Sequence, residues 1–112
     1  MIKYALILSA ILSLPAQAFM ISGNILHDSF QKSETNSVAN GFVKGYVAGV
    51  YDSYDKMICA PSTVNLGQIT EMVGKYLEFS PSIRHLPADV IIAEMLSLAF
   101  PCNKTPSNKK SL

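Results

Sequence analysis

Charged side chains are scarce in this chain: 15% of its 112 residues are Asp, Glu, Lys or Arg, and the net charge is +1. A nucleic-acid-binding face needs an excess of Lys and Arg to displace counterions, and there is none. Electrostatic attachment to anionic lipid is excluded on the same ground. Histidine is limited to His27 and His85, far apart and without Cys or a carboxylate at ligand spacing. No metal and no cofactor are therefore expected. The chain also has no Gly-rich phosphate loop, no nucleophile elbow and no Cys/His pair. Asp52 and Asp55, a helical turn apart, read as a solvated face and not as a catalytic carboxylate pair. An enzyme is not expected.

There is one long apolar run, Tyr4 to Leu14, with Lys3 before it and Pro15 after it. It has about half of the ~20 apolar residues that a bilayer span requires. Ala16-Gln17-Ala18 then provides the small-x-small site of a signal peptidase. Residues 1–18 are expected to be an export signal cut after Ala18, placing the mature protein in the periplasm and off the membrane. No cysteine follows the run, so a lipid anchor has no acceptor thiol. Lys3 leaves with the signal, and the remaining basic and acidic residues balance. Residues 19–102 make one domain with a modest core, and 103–112 form a loose polar tail.

Cysteine is limited to Cys59 and Cys102. In an exported chain an even count favours a disulfide over the alternative of two buried thiols. A crosslink closing so long a loop stabilises by about 4 kcal/mol in the chain-entropy model.

Strict apolar/polar alternation is also missing, whereas three- and four-residue spacing recurs, so the fold class is all-α: a small bundle of four to five helices with one disulfide. A first short helix is expected from Asn24 to Lys32, with Ile25, Leu26 and Phe30 on one side. A second spans Ser37 to Met57, with Val38, Phe42, Tyr46, Val50 and Tyr54 as its buried stripe. Gly41, Gly45 and Gly49 share one face of that helix. Each costs up to about 1 kcal/mol against alanine, which suggests close backbone packing inside the molecule, with a dimer seam as the lesser reading.

Asn65 and Gln68 form a capping-box start for a third helix, in which Leu66, Ile69, Met72, Val73, Tyr76 and Leu77 are apolar. Glu71 and Lys75 form a surface pair on it. Ser80-Pro81 ends this helix, and Ser80 to Leu86 is an exposed connection. Pro87 suits the first turn of a fourth helix that buries Ala88, Ile91, Ile92, Met95, Leu96 and Ala99. Pro101 ends it, leaving Cys102 at the exit, where it would tie to the end of the second helix.

Gly45-Tyr46-Val47-Ala48-Gly49-Val50, then Cys59-Ala60-Pro61, Leu66-Gly67-Gln68-Ile69 and Tyr76-Leu77 resemble the Rap/Tai immunity proteins of type VI secretion systems. The closing stretch agrees: His85, Pro87-Ala88, an apolar helix and Ala99-Phe100-Pro101-Cys102. In order and spacing these cover about residues 23–102. The resemblance implies a small helical periplasmic protein that binds and blocks an injected peptidoglycan amidase; a homodimer enters only as the lesser reading of the glycine row. Where that family often carries two more cysteines, this chain has Ser29 and Val43, which removes a second crosslink. Such proteins resemble plugs: a loop enters the amidase cleft. The matching element here is Ser80, Ser82, Ile83, Arg84 and His85, with Ile83 as its apolar tip and Arg84 as its cation. Replacing Ile83 and Arg84 with alanine is then expected to weaken binding without unfolding. The competing class is an acid-stress chaperone similar to the HdeA type, for which so few charges give weak leverage.

Overall fold

The computed structural model describes residues 20–102. The signal expected at 1–18 and the tail expected at 103–112 lie outside the described residues. Four α-helices make up the bundle: α1 (Gly23–Lys32), α2 (Ser37–Ser53), α3 (Leu66–Glu78) and α4 (Ala88–Ala99). A 3-10 turn, Pro81–Ile83, lies between α3 and α4. No strand occurs among the described residues; the only sheet-like contact is one antiparallel bridge, Ser22 to Pro87. The all-α expectation holds.

The starts of α1, α2 and α3 are each set by a side chain that takes up amides left over at a helix N-terminus. Ser22 Oγ accepts from the Ile25 N–H at 3.2 Å. Asn36 Oδ1 accepts from the Val38 and Ala39 N–H groups at 2.9 and 3.1 Å. The capping box at α3 is present: Asn65 Oδ1 accepts from the Gln68 N–H and Gln68 Oε1 from the Asn65 N–H, both at 2.9 Å. At α4, Pro87 stands at the cap position, one residue before the first turn. The Ala88 N–H that it exposes donates to the Ile21 carbonyl at 2.9 Å.

The core is built from Leu26 of α1, Val43, Val47 and Val50 of α2, Ile69, Val73 and Leu77 of α3, and Ala88, Ile91, Ile92 and Leu96 of α4, with Ile58 from the α2–α3 connection. Helix α2 packs against all three others. Its buried stripe differs from the one expected. Val38 is 79% exposed and Phe42 is also exposed, while Tyr46 and Tyr54 are half-buried. The stripe turned inward is the narrow valine row at 43, 47 and 50, which lets three neighbouring helices approach. Phe42 and Tyr46 instead form a tilted ring pair at the edge, centroids 5.9 Å apart. Ile25 on α1, Leu66 and Tyr76 on α3, and Ala99 on α4 also turn out exposed.

Helix α2 ends at Ser53, short of Met57. The Tyr54 hydroxyl donates to Asp89 Oδ2 at 3.2 Å, and a turn from Tyr54 O to Met57 N follows. Continuing the helix would carry Ile58 past the core that it fills. The turn also brings Cys59 to Cys102: the two are disulfide-bonded, with Cα atoms 5.0 Å apart. Beside the bond, the Cys59 N–H donates to the Phe100 carbonyl at 2.8 Å.

The glycine row needs the largest correction. Residues two apart on a helix point about 200° apart, so Gly41, Gly45 and Gly49 face away from the buried valines. A Cβ at any of the three would meet nothing within 4 Å. No backbone packs there inside the molecule. Close approach occurs at two other glycines. A Cβ at Gly74 would lie 2.9 Å from the Phe30 ring, and one at Gly23 would lie 2.8 Å from the Arg84 carbonyl oxygen and 2.7 Å from Ile91 Cδ1.

Candidate partner-binding site

The α3–α4 connection is short, and its backbone is bonded at nearly every step. Within it, Ile83 N–H donates to Ser80 O at 3.3 Å, Arg84 N–H to Pro81 O at 3.4 Å and Leu86 N–H to Ile83 O at 3.0 Å. It is also fastened to the start of α1. Asn24 N–H donates to the Arg84 carbonyl at 2.7 Å and Gly23 N–H to the Leu86 carbonyl at 2.9 Å. These are first-turn amides of α1 that the helix itself cannot satisfy. Gly23 is required because any side chain would strike the Arg84 backbone. The connection is thus a fixed surface segment whose ordering cost is met by the fold before any partner arrives.

The expected site residues divide into two sets. Ser80 is half-buried and caps the 3-10 turn without a side-chain bond. Ile83 is half-buried and packs against the hydrophobic core, so it is no free apolar tip. Arg84 is half-buried as well: its Nη1 donates at 3.2 Å to the Leu77 carbonyl in the last turn of α3, which also accepts from the Ser80 N–H at 3.4 Å. Ser82 and His85 face solvent. The double change of Ile83 and Arg84 to alanine therefore removes a core contact and a cap together, so it cannot report on binding alone.

Sequence reasoning passed over Phe79. It follows α3 directly, its N–H held by the Lys75 carbonyl at 3.0 Å, and its side chain is 76% exposed. The backbone around it is fixed, yet no interior contact uses the ring. The overlooked signal was an aromatic residue at a helix end, one position before Ser80-Pro81. Phe79, Ser82 and His85 are what this end of the molecule offers a partner.

Electrostatic features are modest. Burial, reinforced by the Arg84 charge, lowers the His27 pKa from its ordinary value, against smaller opposite pulls from Glu78 and Asp28. Burial and then the Asp89 charge raise the Tyr46 pKa; for Tyr54 the hydrogen bond to Asp89 is the main cause of a rise. The only ion pairs among the described residues are the exposed i,i+4 pairs Asp28–Lys32 at 3.0 Å and Glu71–Lys75 at 3.5 Å. Among the described residues no group of three His, Cys, Asp or Glu could hold a metal ion. No helix there is long and apolar enough to cross a membrane.

Of the motif residues, Gly45, Tyr46 and Gly49 line an open trough of about 820 Å³ with Tyr54 and Asp89, and Pro101 stands at the exit of α4 next to Cys102. Neither the curated proteins nor the solved structures include a match. The family model of the Rap1a immunity proteins matches residues 22–102, from the cap of α1 to the second cysteine, and the chain belongs to that family.

Proposed function

We propose that this protein is a periplasmic immunity protein that binds a type VI secreted peptidoglycan amidase and blocks its active site. Membership in an immunity family implies an effector protein as partner. The observation that carries the reading further is the α3–α4 connection, held to α1 by two backbone bonds and presenting the exposed ring of Phe79. A rigid element with one exposed aromatic anchor suits occlusion of a cleft, because a few such residues dominate binding energy. The protein acts by binding, with no catalytic role of its own. Export through cleavage after Ala18 places it where injected wall hydrolases act.

The test is whether the adjoining reading frame encodes a small cysteine-histidine amidase: the two products should then co-purify, and this protein should inhibit the amidase stoichiometrically near neutral pH. Suppression of client aggregation near pH 2–3, where carboxylates lose charge, with no effect on an amidase, would support the acid-chaperone reading instead.

We assign the open glycine face of α2 to a second copy of the chain. A Cβ at Gly41, Gly45 or Gly49 would meet nothing within 4 Å, and a row of small residues admits another helix backbone at close range. Light scattering of the mature protein should give twice the chain mass, and Gly45→Leu should return it to the monomer. A monomeric wild type would remove this assignment.

A further inference from the structure

The trough of about 820 Å³ lies between α2 and the start of α4. Gly45 and Gly49 leave its α2 wall bare, since a Cβ at either would meet nothing within 4 Å. Tyr46 and Tyr54 add two rings, and Asp89 is the one formal charge among the described lining residues. The Tyr54 hydroxyl donates to Asp89 Oδ2 at 3.2 Å. No cation pairs with that carboxylate among the described residues. Its place in the first turn of α4 offsets only part of the charge.

The chain enters the bundle along this trough. Ile21 is pinned next to Asp89: its carbonyl accepts from the Ala88 N–H at 2.9 Å, and Ser22 bridges to Pro87. Met20 also lines the trough and is 89% exposed. Residue 19, which lies outside the described residues, follows Met20 at about 3.8 Å from Cα to Cα. In a chain cut after Ala18 that residue is Phe19, and it carries a free α-amine. The cut end therefore brings a cation and an aromatic ring to a place that offers a carboxylate, two rings and two bare glycines.

We propose that this trough is the seat of the chain's own cut end: the Phe19 α-ammonium pairs with Asp89, and the Phe19 ring lies over Gly45 and Gly49. A carboxylate beside an ammonium favours its charged form, and tyrosine faces attract a cation set against them. The same rings give the phenyl group tilted or edge-on partners. In the uncut precursor the nitrogen of residue 19 is an uncharged amide, so processing alone supplies the pair. The cut thus completes the α2–α4 face as well as removing the leader. Both tyrosines stay neutral where an α-amine titrates: burial for Tyr46 and the hydrogen bond to Asp89 for Tyr54 raise their pKa values above the ordinary one. A second copy on the glycine row would pack over the seated ring. The seat rests on cleavage after Ala18, as proposed above.

The test uses the mature protein recovered after export, whose mass first locates the cut. The α-amine is then titrated through the pH dependence of its acylation rate. The expected midpoint lies about one unit above the ordinary range of about 7.7 to 8.0, because of the carboxylate beside it. Asp89→Asn keeps an acceptor for the Tyr54 hydroxyl but loses the charge. Its midpoint should fall back into the ordinary range, and its labelling at neutral pH should be about tenfold faster. An ordinary midpoint in the wild type, or an equally raised one in Asp89→Asn, would overturn the seat. If Asp89→Asn fails to fold, NMR contacts between the Phe19 ring and the α-protons of Gly45 and Gly49 decide, and their absence overturns it. A mass that starts the protein elsewhere removes the cleavage reading and the seat with it; an ordinary amine on Phe19 removes the seat alone.

Discussion

At the scale of single residues, two glycines and one phenylalanine separate roles that look alike in the sequence. Gly23→Ala would push a methyl group into backbone that has no room to yield, so it should destabilise by about 2 kcal/mol, within the range seen for overpacked sites. Gly45→Ala faces open space and gains helix propensity, so the same substitution should stabilise the monomer by up to about 1 kcal/mol. Urea denaturation of the two variants checks both signs together. Phe79→Ala should leave the melting temperature unchanged and weaken effector binding by more than tenfold, as a centrally placed aromatic anchor would. Ile83→Ala should do the reverse, lowering stability first, because Ile83 packs on the core. For His27 the sign is fixed by its lowered pKa. Above the unfolded value of about 6.5 the imidazole is neutral in both states and has no effect. Below it the unfolded chain takes up protons more readily, so stability falls as pH falls. Melting curves at pH 7.5 and 5.0 should show a drop that His27→Gln reduces.

At the scale of elements, helices were legible where a chemical signal marks an edge. Asn65 and Gln68 gave the start of α3, Ser80-Pro81 its end, and Pro87 the entry to α4, all within a residue. The rotation of α2 was not legible. Phe42 and Tyr46 are large and apolar enough to suggest the inside, while the valines at 43, 47 and 50 are small. Which row faces inward depends on how closely α1, α3 and α4 must approach, and that is a property of the assembled bundle. The end of α2 was missed for a related reason. Nothing local stops the helix at Ser53; the tether from Tyr54 to Asp89 and the burial of Ile58 do so from 35 and more residues away. The site showed the same division. The place of the connection was readable from its prolines. Which of its side chains turn inward was not, because the bonds to Leu77, Gly23 and Asn24 are made by distant segments. Ser82 and His85 remain available to a partner, Ile83 and Arg84 serve the fold, and Phe79 joins the exposed set.

On the scale of the whole molecule, a small core is closed by one covalent link. The disulfide joins the segment after α2 to the segment after α4, so the C-terminal ends of these two helices cannot separate. Changing Cys59 and Cys102 to serine should lower stability by about 4 kcal/mol, a large fraction of what a small domain has. Chemical denaturation with and without reductant checks that figure. The staple and the backbone bonds between the start of α1 and the α3–α4 connection act on opposite ends of α4, one at Phe100 to Cys102 and the other at Pro87 to Ala88. Together they hold fixed the end of the molecule that displays Phe79, Ser82 and His85. The most direct check on this account is to titrate the activity of a type VI peptidoglycan amidase effector from the same cell with wild-type protein and with Phe79→Ala. The account predicts complete inhibition at equimolar wild type and a large excess needed for the variant. Equal potency of the two proteins, or no inhibition by either, would contradict it.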